Sequence, residues 1–396
     1  MSKNKNSNGA GSIYKRMKDG KLIRYEGQIS YIDGDGNRKR HTVYGRTQKD
    51  VRDGLDAVRD RLDSGAPARD AATTVAVWLQ HWRDTVLEAA AVKPTTRDVY
   101  ARLSRVHLDP APFGGIRLDR LKPSDIDLLM VTLRDKTKPG TDGTDIPALS
   151  DSTRRLIYVV LRHSLDAAVR DGLIARNPAL AVARPRVARK EAKHLDASQV
   201  QALLTAAKSS RHYPVLALIA ATGMRKGEAL ALQWDRVNFD DGRVTVAATL
   251  SMVGGKPFLG EPKTARSRRT VPIPPAVVAL LRRHKTKQTA ERLRAGNQWA
   301  DRNLVFPTEL GGPTDPGNVL ETVHAAAKRA GIDDAVGVHT LRHSAAVGWL
   351  ESGTHVRAVA DLLGHSSVAT TADVYLHSSD AVTRAAVDNW GTALEL

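Results

Sequence analysis

The segment LLGHSSVATTADVYLH places His365 ten residues before Tyr375. A phenol becomes a nucleophile when it loses its proton, and its reference pKa of ~10 means that a base or water must accept that proton. A single tyrosine is more often part of a hydrophobic core. Whether Tyr375 is a nucleophile therefore depends on the charges and proton donors that the rest of the chain supplies.

Three other segments carry cations or imidazoles that could serve such a reaction. ATGMRKGEALALQWDRV places Arg225 at the predicted start of a helix. HTLRHS holds His339 and Arg342, which share one helical face at i, i+3. EPKTARSRRTVPI is a predicted basic turn between strands, and its clustered cations are Lys263, Arg266, Arg268 and Arg269.

Two other chemistries are disfavoured by the same residues. His339 and His343 have the H-x-x-x-H spacing of a zinc site, but Thr-Leu-Arg lies between them in place of a glutamate. Arg342 would also put a cation beside the metal. The sequence GHSSV lacks the closing glycine of the G-x-S-x-G motif of serine hydrolases. We therefore expect no metal and no other cofactor.

Phosphoryl transfer to tyrosine would use all of these groups in one reaction. A DNA phosphodiester under attack gains negative charge on its non-bridging oxygens, and arginines such as Arg225 and Arg342 stay charged and donate in pairs. Lys263 could protonate the departing 5′ oxygen. His339 and His365 could hydrogen-bond the phosphate or move protons. The chain shows no carboxylate cluster that would hold magnesium.

These motifs, in this order, resemble the catalytic domain of the tyrosine recombinases, the phage-integrase family. The family's arginine box, T-G-x-R-x-x-E before a leucine-rich helix, reads TGMRKGEALAL, its H-x-x-R box reads HTLR, and its later histidine lies in LLGHSS. The resemblance implies six catalytic residues, the last being the nucleophile: Arg225, Lys263, His339, Arg342, His365 and Tyr375. It also implies a 3′-phosphotyrosyl intermediate, a Holliday junction and a homotetramer on DNA, without metal or ATP.

Composition agrees with a polyanionic partner. Sixty Lys and Arg against forty-three Asp and Glu give a net charge of +17, and residues 1–49 hold twelve of these cations against four acids. Such an excess steers a protein toward nucleic acid, and the low aromatic content of 5% favours double-stranded over single-stranded DNA. The absence of cysteine excludes disulfides, thiolate metal sites and cysteine nucleophiles.

No apolar run approaches the ~18–20 residues that a membrane span requires, and the polar start MSKNKNSNGAGS lacks a secretory signal. We therefore expect a cytoplasmic protein with no membrane partner, associated with the nucleoid when it is bound to DNA.

Periodicity and composition predict a multidomain α+β protein. Residues 1–63 should form a small three-stranded β-sheet with one helix, and 74–182 an all-α domain, joined by a linker at 64–73. A basic linker at 183–194 should lead to a mainly α catalytic domain at 195–396, which has a small antiparallel sheet and a C-terminal tail. The same resemblance implies that the first domain binds arm-type DNA sites and that the second binds core sites. The apolar residues of the tail, DAVTRAAVDNWGTALEL, predict a helix that docks onto a neighbouring subunit.

Several local features are predicted as well. Thr47, Ser124, Ser150 and Asp196 stand where helix N-caps belong, and DGDG reads as a hairpin turn. The insertion KTKPGTDGTDIPAL reads as a flexible loop between two helices.

Cations of the first domain, the basic linker and the catalytic hairpin are candidates for DNA contacts. They are Lys15, Arg16, Arg24, Arg38, Lys39, Arg40, Arg184, Arg186, Arg189, Lys190, Arg266 and Arg268. The expected partners are core and arm-type attachment sites in double-stranded DNA, further copies of the chain, an excisionase and a DNA-bending host factor.

Other functions stay open at this point. A non-catalytic, sequence-specific DNA-binding regulator would share the charge and the domain plan. A Xer-like resolvase or a type IB topoisomerase-like enzyme would share the chemistry. The apparent arm domain favours a recombinase that integrates and excises a mobile element.

Overall fold

The computed structural model describes residues 12–18, 21–32, 38–63, 73–140, 143–188, 193–261, 267–332, 336–365 and 367. The chain forms two compact units that divide between residues 189 and 190. Along the described ranges, no helix combines the length and the apolar character needed to cross a bilayer.

The N-terminal part is a three-stranded antiparallel sheet with the strand order β1-β2-β3, backed by one helix. Its elements are β1 (Ser12–Lys18), β2 (Lys21–Ile32), β3 (Arg38–Gly45) and α1 (Gln48–Asp63). Ile29 of β2 packs against Val51, Leu55 and Val58 of α1. Thr47 caps α1 as predicted, because its Oγ1 accepts from the backbone N–H of residue 50 at 3.1 Å. The DGDG segment lies outside the described residues.

A helical domain follows in the same unit. Its helices are α2 (Val75–His81), α3 (Leu87–Ala89), α4 (Pro94–His107), α5 (Pro123–Asp135) and α6 (Asp151–Arg170). A π-helical turn, Trp82–Val86, makes α2 and α3 continuous. Trp78 and Leu161 lie in the hydrophobic core, and the Trp78 indole donates to the Ser164 carbonyl at 2.9 Å. The central helix α6 is thus fixed to α2.

Two local predictions in this domain were wrong and one was confirmed. Ser150 caps α6, accepting from the Thr153 N–H at 3.2 Å. Ser124 is not a cap: Pro123 takes the first helical position, and the Asp125 carboxylate accepts from the Lys122 N–H at 2.9 Å instead. The predicted flexible insertion contains a hairpin whose two antiparallel strands are β4 (Thr137–Pro139) and β5 (Asp145–Pro147).

The second unit is mainly helical. Its helices are α7 (Ala197–Ala207), α8 (Tyr213–Thr222), α9 (Lys226–Leu230), α10 (Pro275–Ala295), α11 (Pro316–Arg329), α12 (Val338–Glu351) and α13 (Val356–Leu363). Its strands are β6 (Val237–Asn238), β7 (Arg243–Val246), β8 (Thr249–Val253), β9 (Lys256–Gly260) and β10 (Arg269–Pro272). They form an antiparallel sheet with the order β10-β7-β6 and a hairpin, β8-β9.

The first residues of this unit are tied to its interior. Asp196 caps α7 as predicted, accepting from the Gln199 N–H at 2.8 Å. The Leu195 N–H donates to Ser344 Oγ of α12 at 2.8 Å, and that hydroxyl donates to the Thr340 carbonyl at 2.9 Å. The mixture of small antiparallel sheets and helices confirms the predicted fold class.

Candidate active site

Arg225 lies in the turn between α8 and α9. Gly223 ends α8 in the left-handed conformation, with φ of 60°, and a Cβ there would come within 2.7 Å of Leu363 Cδ2. Glycine is therefore required both by the backbone and by the close approach of α13. The turn leaves Arg225 half-buried at the N-cap position of α9, with its guanidinium beside the end of α13.

Arg342 lies on α12 and is only 5% exposed. Its Nη1 donates to the Gly223 carbonyl at 2.6 Å, and its Nη2 donates to the Leu363 carbonyl at 2.9 Å. Burial and the neighbouring charge of Arg225 lower the pKa of Arg342 to about 9. The guanidinium therefore keeps its charge at neutral pH while it joins the α8–α9 turn to α13.

His365 follows α13 directly. Gly364 caps that helix in the left-handed conformation, with φ of 67°, and this turn brings the imidazole back toward α12. His365 Nε2 lies 2.9 Å from Arg342 Nη2. Burial, then the charges of Arg342 and Arg225, lowers the pKa of His365 to about 4, so the ring is neutral at physiological pH.

His339 and His343 occupy the same helix as Arg342. His339 is exposed in the first turn of α12, and its pKa is lowered by partial desolvation and then by the charges of Arg342 and His343. The half-buried His343 also has a lowered pKa, first through burial and then through Arg342. Neutral imidazoles can accept or donate one proton, which suits proton movement beside a cation.

A buried carboxylate joins Arg225 to a second arginine. Glu228 Oε1 accepts from Arg225 Nη1 at 2.7 Å, and Oε2 accepts from Arg269 Nη2 at 3.0 Å. Burial raises the pKa of Glu228, but the charge and hydrogen bond of Arg269 and the hydrogen bonds of Arg225 outweigh it, so the pKa lies below its ordinary value. Glu228 is therefore ionised and bridges α9 to β10.

Glu228 and Arg269 were absent from the six predicted site residues. The arginine box carries a signal for Glu228, because the glutamate stands three residues after Arg225 and closes a capping box with its N–H. For Arg269 the signal is strand alternation: it stands two residues before the buried Val271 and shares its side of β10.

The structure brings together three of the six predicted catalytic residues through direct contacts around the end of α13: Arg225, Arg342 and His365. Partial desolvation lowers the pKa of His339 most, and Arg342 and Arg225 are close enough for their charges to lower it further. Lys263 and Tyr375 lie outside the described residues, as does the C-terminal tail.

Some of the residues predicted to contact DNA also lie outside the described residues, and most of the others are exposed. Arg189, Lys190 and Arg266 lie outside the described residues. Lys39 lies in β3. The remaining candidates are exposed at the surface: Lys15, Arg16, Arg24, Arg38, Arg40, Arg184, Arg186 and Arg268.

The site is a cluster of positively charged side chains that can bind an anion such as a phosphate. The end of α13 is surrounded by three guanidiniums, those of Arg225, Arg269 and Arg342, and by the neutral His365 ring. Arginine donates to phosphate oxygens in a fixed fork. Within the described ranges, no group of three or more His, Asp or Glu side chains is placed to hold a metal ion. Fixed cations of this kind stabilise charge that develops on oxygen in a transition state.

Comparison with known proteins agrees with this chemistry. The model of the phage integrase family matches residues 193–381. The tyrosine recombinase XerD of Mycobacterium tuberculosis is 30% identical over 308 residues, covering 75% of this chain and 92% of that protein. An integrase from Saccharopolyspora erythraea is 26% identical over 449 residues, covering 98% of each chain.

Solved structures share the fold. The Tn1549 transposon integrase in complex with circular intermediate DNA superposes with a TM-score of 0.61 at 18% identity, covering 80% of this chain and 99% of that one. A lambda integrase dimer bound to a COC′ core site gives 0.55 at 18% identity, covering 96% and 98%. The chain belongs to the phage integrase family of tyrosine recombinases, which makes it a site-specific DNA recombinase.

Proposed function

We propose that the chain integrates and excises a mobile DNA element through a covalent 3′-phosphotyrosyl intermediate. The observation that carries the proposal is the convergence of Arg225, Arg342 and His365 at the end of α13, where Arg342 contacts both Leu363 and His365 at 2.9 Å. The scissile phosphate takes the place of the Leu363 and Gly364 carbonyls as the acceptor for Arg342 and Arg225, respectively. The two arginines keep their bonds to the Gly223 carbonyl and to Glu228.

The proposed reaction consists of two phosphoryl transfers, first to Tyr375 and then to a DNA hydroxyl. The Tyr375 oxygen loses its proton to a base or water and bonds to phosphorus, while the bond from phosphorus to the 5′ oxygen breaks and that oxygen takes a proton from Lys263. In the second transfer a 5′ hydroxyl from the partner duplex attacks the phosphotyrosine and releases the phenol. The phosphodiester bond energy is kept in the intermediate, so neither ATP nor a metal is consumed.

Arg225 and Arg342 act on the non-bridging oxygens. Both are anchored before DNA arrives, Arg225 by Glu228 and Arg342 by the Gly223 carbonyl. Preorganised donors need little rearrangement when charge develops, which is why such groups lower barriers. His339 and His365 hydrogen-bond the phosphate or move protons.

The N-terminal sheet is proposed to bind arm-type sites through the face opposite α1, here called the free face. Arg24 Cζ lies 4.4 Å from the centroid of the Tyr44 ring, and Arg24 Nε donates to Glu26 at 2.9 Å. Arg16 pairs with Arg24 in the register of β1 and β2, so two cations stand side by side. A β-sheet can enter the major groove, where arginine reads guanine.

Lys15 is placed differently from Arg16. It pairs with Tyr25, which packs on the α1 side of the sheet, so strand alternation assigns Lys15 to that side. Any DNA contact of Lys15 would come from the edge of the sheet, where β1 is the outer strand.

The helical domain is proposed to bind core sites, and the basic segment between the units to follow the phosphate backbone. Residues 183–188 form no helix or strand, and Arg184 and Arg186 are exposed there. The proposed domain boundaries are those predicted from the sequence. We further propose that the protein is cytoplasmic and works with an excisionase and a DNA-bending host factor.

Assembly on DNA is proposed to be tetrameric and to pass through a Holliday junction. A lambda integrase tetramer bound to a Holliday junction shares the fold, with a TM-score of 0.54 and 96% of this chain covered. Integration is favoured over Xer-like resolution because the Saccharopolyspora integrase matches 98% of this chain, whereas a XerC-like recombinase matches 86% and the XerD relative 75%.

Trapping on a nicked suicide substrate tests the proposal. Loss of the small fragment beyond the nick prevents rejoining, so the wild-type protein should migrate as a DNA adduct on denaturing electrophoresis. Tyr375→Phe should bind the DNA and form no adduct. Tyr213→Phe is the matched control, because Tyr213 packs on the core of the same unit. An adduct with Tyr375→Phe would exclude this residue as the nucleophile.

A further inference from the structure

Three consecutive carbonyls at the end of α13 accept hydrogen bonds from three different arginines. Leu362 accepts from Arg269 Nε at 2.6 Å, Leu363 accepts from Arg342 Nη2 at 2.9 Å, and Gly364 accepts from Arg225 Nη2 in a longer contact of 3.4 Å. The last carbonyls of a helix have no partners within it and carry the negative end of its dipole. The arginines thus neutralise this helix end.

Arg269 differs from the other two arginines in its orientation. Its side chain is only 7% exposed. Besides Leu362, it donates from Nη1 to the Ser267 carbonyl at 3.1 Å and from Nη2 to Glu228 at 3.0 Å. All three of its nitrogens are therefore committed to the protein, and the side chain connects β10, α9 and the end of α13.

The neighbouring residue shows that this orientation is specific. Arg268 is 60% exposed and pairs at 3.0 Å with Glu261, which is itself 84% exposed. These adjacent arginines at the start of β10 therefore face solvent and interior, respectively, so the inward position of Arg269 does not follow from its charge alone.

Arg269 also sets the charge that Arg225 can offer. Glu228 is shared between the two arginines, so the three groups carry one net positive charge. Without Arg269, the Glu228 carboxylate would face Arg225 alone and cancel its charge. The end of α13 would also lose its bond at Leu362, three residues before His365.

We infer that Arg269 is a positioning residue for strand cleavage, which holds Glu228 and the end of α13 so that Arg225 and His365 are aligned on the phosphate. This inference rests on the proposed function of the site. Arg269 does not touch DNA. It acts through Glu228 on one side and through the Leu362 carbonyl on the other.

Arg269→Gln in the full-length protein tests the inference, with Arg236→Gln as the matched control. Arg236 is an exposed arginine of the same unit and lies 3.6 Å from Asp235. Single-turnover cleavage of the suicide substrate at saturating protein should slow by about 100-fold in Arg269→Gln, the cost of a misplacement of ~1 Å at a reacting centre. DNA affinity should be unchanged, and Arg236→Gln should cleave at the wild-type rate.

A second readout separates positioning from stability. In Arg269→Gln the pKa of His365, followed by NMR, should rise from about 4, because a charge that lowers it is lost and the ring moves away from the other cations. A rise in Arg269→Lys, which retains the charge, reports the movement of the ring alone. If Arg269→Gln does not fold, the cleavage rate of Arg269→Lys is measured instead, because lysine retains the charge but lacks the planar fork. Slow cleavage by a variant with the wild-type melting temperature supports the inference.

Wild-type cleavage rates in Arg269→Gln, or in Arg269→Lys if that variant must be used, would overturn the inference. The proposed function fails in a different way, because the wild-type protein would then form no adduct with DNA at all. The two failures are distinguished in the same experiment.

Discussion

Arg342 Nη2 lies 2.9 Å from His365 Nε2, and this contact fixes the proton on the imidazole. Arginine has only donors, so Nε2 must accept, and the neutral ring carries its proton on Nδ1. A phosphate that takes over the Arg342 donors would leave Nε2 without this donor. For His365 to donate to the phosphate from Nε2, the ring must exchange tautomers when DNA binds.

The first prediction concerns the protonation of His365. In the DNA-free protein, 15N NMR should show a neutral Nδ1–H ring that titrates at about 4. Because the folded-state pKa lies below the ordinary histidine value of ~6.5, the unfolded chain binds more protons between those pH values. The stability that neutral His365 contributes is therefore complete above pH ~6.5 and is lost as pH falls toward 4.

His365→Gln is the control for this prediction, because the glutamine oxygen can still accept from Arg342. The variant should lose this part of the pH dependence in chemical unfolding between pH ~6.5 and ~4. An imidazole resonance of His365 that titrates near pH 6.5 would contradict the contact with Arg342.

The second prediction concerns Arg342→Lys. Lysine keeps the positive charge, but its ammonium lacks the planar fork with which Arg342 can hold the Gly223 carbonyl and a phosphate at the same time. Loss of a preorganised donor costs about 10²–10³ in rate, so adduct formation should fall by that factor. Lys208→Arg, a change on the surface of the same unit, should have no effect. Normal cleavage by Arg342→Lys would exclude a bidentate role.

The third prediction concerns Gly227 in α9. A Cβ at this position would lie 2.5 Å from the Leu250 carbonyl oxygen of β8, a backbone atom that cannot rotate away. Alanine is the better helix former by about 1 kcal/mol, but this gain applies only if the helix stays in place. Gly227→Ala should push α9 away from β8, lower the melting temperature and displace Arg225.

Gly348→Ala is the control for this prediction, since a Cβ there meets nothing within 4 Å. It should leave the melting temperature equal or higher, as expected for alanine in an open helical position. Equal stability of the two variants would show that α9 and β8 are not held in close contact.

The fourth prediction concerns Arg24 on the free face. Glu26 and the Tyr44 ring hold its guanidinium in place, and this ordering favours reading of a base over loose phosphate contact. Arg24→Ala should weaken binding to the arm-type site by about 1–3 kcal/mol in gel-shift titrations and relax specificity at one base pair.

Arg52→Ala is the matched control for Arg24→Ala, because Arg52 is exposed on α1, the helix behind the sheet. It should leave the specificity unchanged. If Arg24→Ala instead weakens all sequences equally and lowers the salt slope by about one, Arg24 contacts phosphate.

The sequence motifs predicted the arginines and His365 because each lies in a short local pattern with a fixed relation to helix ends. Arg225 follows the Thr-Gly that ends α8, and His365 follows the Gly that ends α13. These residues come together because Arg342 bonds to Gly223, 119 positions earlier, and to Leu363, 21 positions later. No local sequence pattern encodes contacts over such distances along the chain.

Arg269 shows where prediction from sequence stops. The basic segment before β10 holds four closely spaced cations, Lys263, Arg266, Arg268 and Arg269, and the sequence does not reveal which of them turns inward. The inward side chain is selected by two partners from distant segments, the Glu228 carboxylate and the Leu362 carbonyl. Ser124 failed as a cap for a simpler reason, since the helix starts at Pro123, two residues earlier than a Ser124 cap requires, and the Asp125 carboxylate accepts from the backbone N–H of Lys122.

The bond from the Leu195 N–H to Ser344 Oγ has a mechanical consequence. The chain enters the second unit at this point, and Ser344 stands two residues after Arg342 on α12. Any displacement of the Leu195 backbone would therefore act on the same helical turn of α12 that carries Arg342, so the first residues of this unit and the candidate active site share one anchor.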